Sequence, residues 1–138
     1  MAAKDLFHQA VRKGLVKAQW TVTDDPLIIQ IGGVDLRIDL GAEQLLTAEK
    51  GRERIAVEIK SFLGPSLISD FHVALGQFLN YRLALETQKS DRILYLAVPL
   101  ETYYTFFHLP FAQLAIQRYQ VQMIIYDAVR EEIVQWIS

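Results

Sequence analysis

The chain predicts an α/β fold, a mixed β-sheet flanked by helices, and three observations predict it. Val34 to Leu40 and Arg54 to Lys60 alternate polar and apolar residues with the period of two that a strand imposes. Leu67, Phe71, Ala74, Leu75, Phe78, Leu79 and Leu83 recur at helical spacing between about Leu67 and Gln88. Arg92 to Val98 is nearly all apolar, which suits a strand buried on both faces. Helix, antiparallel strands, long helix, buried strand, helices and final strands follow one another, the order of an α/β domain.

Residues 3 to 18 read as an amphipathic helix, with Leu6, Phe7, Ala10, Val11, Gly14 and Leu15 on one side. Trp20 to Thr23 is a short extended stretch. Asp24-Asp25-Pro26 is turn chemistry, because proline fixes φ and aspartate bonds nearby amides. Leu27 to Ile31 is β-rich, Gly32-Gly33 supplies a tight turn, and Val34 to Leu40 returns antiparallel. Gly41-Ala42-Glu43 reads as a bend and Gln44 to Glu49 as a possible further strand. Lys50-Gly51-Arg52-Glu53 turns into the strand carrying Glu58 and Lys60, and Gly64-Pro65-Ser66 then breaks the chain before the long helix. Pro99 ends the buried strand. Glu101 to His108 and Phe111 to Gln120 read as two short helices split by Pro110. Val121 to Tyr126 and Ile133 to Ile137 are final strands around the turn Arg130-Glu131-Glu132.

Composition narrows the class. The 138 residues fit a single domain, and 51% hydrophobic with 22% charged residues reads as globular. Absent cysteine excludes disulfides and thiolate metal sites and agrees with a cytoplasmic setting. Met1-Ala2-Ala3-Lys4-Asp5 places charges where a signal peptide needs an apolar run, and no apolar stretch is long enough to span a bilayer. The net charge of −2 is unlike that of a domain that grips DNA alone. Basic residues form only local clusters: Arg12, Lys13 and Lys17; Lys50, Arg52 and Arg54; Arg82, Lys89 and Arg92. Any nucleic-acid contact is therefore expected to be local or shared with a partner.

Strand parity places Asp39 on one face with Arg37 and Asp35, and Glu58 on one face with Lys60 and Ala56. If these strands are neighbours, an aspartate, a glutamate and a lysine converge. Asp39 and Glu58 would then give carboxylate oxygens to Mg²⁺ (or Mn²⁺), with the Ile59 carbonyl as a third protein ligand. Lys60 would orient a water or add positive charge against a phosphodiester. Alternating charges on an exposed strand also produce such a triplet, so a surface ion-pair cluster stays open as a second reading. Gln77 and Tyr81 are four apart on one face of the long helix, which could lie over the patch. From the residues alone, Tyr81 reads as a half-buried aromatic and Gln77 as a surface residue.

Other chemistry is sparse. His8, His72 and His108 have no zinc-ligand spacing, and no glycine-rich phosphate loop or nucleophile elbow occurs. His8 reads as a helix-surface residue unless the first helix packs beside the charged cluster. Tyr103-Tyr104-Thr105-Phe106-Phe107 lacks interleaved basic residues, so it reads as core or protein interface. With Tyr119, Tyr126 and Trp136 it makes the C-terminal third apolar, a place for self-association into a homo-oligomer.

Asp39, Glu58-Ile59-Lys60 and Gln77-x-x-x-Tyr81 together resemble the PD-(D/E)xK nuclease superfamily, in the branch with a QxxxY helix seen in RecB-like nucleases. That resemblance implies a restriction-endonuclease-like core, Mg²⁺-dependent endonuclease chemistry, and roles for Asp39, Glu58, Lys60, Gln77 and Tyr81. Ile38 stands where the motif has proline, and Asp5 is the nearest candidate for a carboxylate on the first helix. Over its length the chain is similar to the cyanobacterial XisH family, through Ala3-Lys4-Asp5-x-x-His8, Ile38-Asp39-Leu40-Gly41-Ala42-Glu43, Val57-Glu58-Ile59-Lys60-Ser61-Phe62 and Gly76-Gln77-Phe78-x-x-Tyr81. That family is named for controlling excision of the fdxN DNA element in heterocyst differentiation. The likeness implies an accessory role beside a site-specific recombinase, with a small companion protein, XisI.

Overall fold

A computed structural model describes residues 3–49 and 51–138. Met1 and Ala2, at the charged N-terminus, and Lys50, in the turn expected at 50–53, lie outside the described residues. Helix α1 (Ala3–Lys17) is followed by strands β1 (Thr21–Asp24), β2 (Leu27–Ile31), β3 (Val34–Ile38), β4 (Leu40–Thr47) and β5 (Gly51–Ile59). Then come α2 (Leu67–Thr87), β6 (Ile93–Pro99), α3 (Leu100–Tyr104), a 3₁₀ turn at Phe106–His108, α4 (Pro110–Tyr119), β7 (Met123–Asp127) and β8 (Glu132–Ile137).

Six strands form a mixed sheet in the order β1-β4-β5-β6-β7-β8, while β2 and β3 form a separate hairpin. The β5–β6 and β6–β7 pairs are parallel, and the other pairs in the sheet are antiparallel. Parallel neighbours need crossovers, which α2 and the α3–α4 segment supply. Both crossovers cover one face, where Phe71, Ala74 and Phe78 of α2 meet Ala112 and Ala115 of α4. Helix α1 covers the other face with Ala10, Val11 and Leu15 against Leu40, Ile55, Val57 and Tyr126. Strand β6 is buried from Leu94 to Pro99, as its apolar run predicts.

Three expectations are corrected. The first concerns Asp39. It does not continue β3 on one face with Asp35 and Arg37; the strand breaks there. Ile38 packs on the α2 side and Leu40 on the α1 side, so the chain passes from the hairpin to the main sheet at Asp39. Two residues two apart would share a face in an unbroken strand. Asp35 and Arg37 are exposed on the hairpin.

The second correction is at Gly41-Ala42-Glu43, which is not a bend but the start of a continuous β4. The glycine is needed for a close approach. A Cβ on Gly41 would lie 2.8 Å from Asp24 Oδ2 and 2.9 Å from Arg92 Nη1. The Arg92 guanidinium occupies that space and ties three strands, donating to Asp24 Oδ2 (2.9 Å) and to the Ile55 carbonyl (2.8 Å), with a longer contact to the Ala42 carbonyl. The third correction is at Pro110, which opens α4 rather than lying between helices, since its missing N–H costs nothing at a first helical position.

Candidate charged site at the end of strand β5

The register brings the acidic groups together. Leu40 pairs with Val57, which sets Asp39 level with Glu58 and Ile59 although β3 itself never pairs with β5. The Asp39 N–H donates to Glu58 Oε1 (3.3 Å), and the Ile59 N–H donates to Asp39 Oδ2 (2.8 Å). Lys60 Nζ lies 3.4 Å from Glu58 Oε2. Asp39, Glu58 and Lys60 therefore meet at the carboxyl end of β5. Lys60 is itself held by its backbone: its N–H donates to the Ala97 carbonyl (3.0 Å), and the Tyr126 hydroxyl donates to the Lys60 carbonyl (3.4 Å).

Glu58 is 5% exposed, the one buried carboxylate among the described residues. Burial first, and then the Asp39 charge, push its carboxyl up to about 7, and Lys60 offsets only part of this. Tyr81 feels the same cluster. Burial, then the charges of Glu58 and Asp39, raise its hydroxyl above the usual tyrosine value. Helix α2 thus lies over the patch on its Tyr81 flank. Gln77, one turn earlier on that flank, keeps a buried Oε1 without a hydrogen-bond partner. Burial also raises Tyr126, followed by the charges of Glu101 and Asp39.

On the α1 side a cavity of about 40 Å³ is lined by Phe7, His8, Asp39, Ile59 and Ser61. Its volume suits one ion or a water or two. His8 is not a free surface residue, since its Nε2 sits 2.8 Å from Asp25 Oδ1 while Arg12 pairs with the other Asp25 oxygen at 2.6 Å. Asp5 is exposed in the first turn of α1. A larger cavity, about 760 Å³, lies away from the charged cluster, at the opposite end of β6 between Arg82 and Leu85 of α2 and Gln113 and Gln117 of α4.

The donor set fits a hard divalent cation. Asp39 and Glu58 lie together with one lysine, which pairs with Glu58; burial and the Asp39 charge raise the Glu58 carboxyl, and Gln77 leaves a buried carbonyl oxygen unpaired. Among the described residues no group of three or more His, Cys, Asp or Glu gathers. The fit is therefore to an ion that keeps several waters, as Mg²⁺ does, rather than to one caged wholly by protein.

Reading the sequence missed Tyr126, Ser61 and Phe7. Tyr126 looked like one more core aromatic, and nothing local marks a hydroxyl that reaches Lys60 from 66 residues away. The aromatic run is mostly core: Phe106 and Phe107 are buried against Phe62 and Phe71, whereas Tyr104 is exposed. No described helix is long and apolar enough to cross a membrane.

The model of the XisH protein family matches residues 1–134. No curated protein matches the chain. Two crystal structures at 1.60 Å are similar to it, each 52% identical. An XisH family protein from Nostoc punctiforme PCC 73102 superposes with a TM-score of 0.89, covering 97% of this chain and 100% of its own. An fdxN element excision controlling factor protein from Anabaena variabilis superposes with a TM-score of 0.88, covering 97% of this chain and 99% of its own. With nearly its whole length matched, the chain belongs to the XisH family.

Proposed function

We propose that this protein is a DNA-excision controlling factor whose Asp39–Glu58–Lys60 set is a Mg²⁺-dependent nuclease-type site of the PD-(D/E)xK kind. The observation that carries this reading is the reciprocal clamp between Asp39 and Glu58–Ile59, with Lys60 on the outer Glu58 oxygen. Asp39, Glu58 and the Ile59 carbonyl would hold Mg²⁺ or Mn²⁺. When bound, the ion supplies charge neutralisation and lowers the pKa of a water. Lys60 places a fixed positive charge beside the scissile phosphate. Gln77 offers its unpaired carbonyl oxygen, and Tyr81 keeps its hydroxyl proton near two carboxylates, so it stays a hydrogen-bond donor.

Purified protein with Mg²⁺ or Mn²⁺ should cut DNA. Asp39→Ala or Lys60→Ala should each lower the rate by about a hundredfold or more, the scale of losing a preorganised electrostatic group. Cleavage that persists unchanged in both variants removes these residues from the mechanism.

A second reading is a binding module that keeps the fold and acts through a companion protein of the XisI kind beside a site-specific recombinase. The spent basic residues favour it. The net charge is −2, and Arg52 and Arg54 pair with Glu43, Arg12 with Asp25, and Arg92 with Asp24, whereas a domain that grips DNA alone is usually basic. It predicts co-purification with XisI and no cleavage. Two independently migrating proteins on co-expression sink that version.

A further inference from the structure

Tyr126 carries a hydroxyl that packing does not call for. Its side chain is 0% exposed, lies on the sheet face that α1 covers, and meets Phe7 edge-on with ring centroids 6.2 Å apart. A buried hydroxyl gives up its bonds to water and costs free energy unless a partner replaces them. The partner here is the Lys60 carbonyl at 3.4 Å, longer than the roughly 2.5–3.0 Å usual for such a bond. Phenylalanine would fill the same space with no hydroxyl to desolvate.

The hydroxyl reaches the charged site from the opposite face of the sheet. Strand β5 ends at Ile59, which pairs with Ala97 on β6, and the chain turns away at Phe62, whose φ of 55° is uncommon for a bulky residue. Lys60 sits between that strand end and that turn. Two bonds hold its backbone: its N–H donates to the Ala97 carbonyl, and its carbonyl accepts from Tyr126. In an extended chain the N–H and C=O of one residue point the same way, and those of the next point the opposite way. Lys60 turns both towards β6 and β7. Ile59 turns both towards Asp39, and its N–H meets Asp39 Oδ2. A bond on the Lys60 carbonyl therefore sets the direction of the Ile59 carbonyl as well. It also keeps the Lys60 side chain on the face of Glu58.

We propose that Tyr126 is a positioning residue for the charged site, its hydroxyl holding the Lys60 carbonyl so that the Ile59 carbonyl stays turned to Asp39 and the Lys60 side chain stays beside Glu58. The inference rests on the reading of Asp39, Glu58 and Ile59 as a metal site. Tyr126 touches neither ion nor substrate; it acts through the backbone of Lys60. It is also a steady donor, because burial and the charges of Glu101 and Asp39 keep its proton on.

Tyr126→Phe removes the hydroxyl and keeps the ring. Mn²⁺ alone, titrated by electron paramagnetic resonance, should bind this variant about three- to tenfold more weakly, the scale of one net hydrogen bond. The unfolding midpoint without metal should stay within about 2 °C of wild type; a merely structural hydroxyl would lower the midpoint and leave the affinity alone. Tyr95→Phe removes another buried hydroxyl from the same face, beside Trp136, and should leave Mn²⁺ affinity unchanged. Metal-free protein gives a readout independent of the ion. In Tyr126→Phe the Ile59 amide should exchange hydrogen at least about threefold faster, while the Val57 amide on the same strand keeps its rate. Unchanged Mn²⁺ affinity in Tyr126→Phe overturns the proposal, as does an equal loss in Tyr95→Phe or an unchanged Ile59 amide. If Asp39→Ala abolishes Mn²⁺ binding and Tyr126→Phe does not weaken it, the metal reading stands and the positioning role alone falls. A wild-type protein that binds no Mn²⁺ overturns both.

Discussion

At the residue scale, Glu58 ties structure to chemistry. Its carboxyl is raised from 4.5 to about 7 because it is buried beside Asp39. Between these values the folded protein holds a proton that the unfolded chain has released. Stability therefore falls as pH rises from about 4.5 to 7. Glu58→Gln removes that loss, and at pH 8 it should raise unfolding free energy by about 1–3 kcal/mol, with little effect at pH 4. Denaturant unfolding at the two pH values checks this, and a variant less stable at pH 8 contradicts it. The Glu58-Ile59-Lys60 triplet was legible in the sequence because one strand fixes the parity of its own side chains. Asp39 was legible as a partner but not by its route. The switch of Ile38 and Leu40 to opposite faces depends on β4 pairing with β5, a contact between distant segments that parity within β3 cannot reveal.

At the element scale, the long helix, the hairpin and the buried strand were readable, since each carries its own periodicity or turn residues. Strand β4 was not. Gly41 looked like a break, and only Arg92, from the start of β6, explains why a strand needs glycine there. The Arg92 side chain is 15% exposed and bonds Asp24 on β1 and Ile55 on β5. Arg92→Met should therefore cost about 2–4 kcal/mol, because it strands a partly buried carboxylate and a carbonyl. A loss below 0.5 kcal/mol, the size of an ordinary surface change, contradicts that role. The apolar residues of α2 mark a core side, with Phe71, Ala74 and Phe78 buried, and leave Val73 and Leu83 exposed on the other.

At the scale of the whole molecule, the mixed sheet and its two helical faces gather Asp39, Glu58 and Lys60 at one end of β5. Family membership covers nearly the whole chain, while the chemistry rests on two carboxylates and one lysine. The direct measurement is anomalous scattering from crystals soaked in Mn²⁺. The expected result is a single peak between Asp39 and Glu58 that disappears in Asp39→Ala. A fully soaked crystal with no ion between those carboxylates, or with the ion bound only elsewhere, contradicts the metal-dependent site.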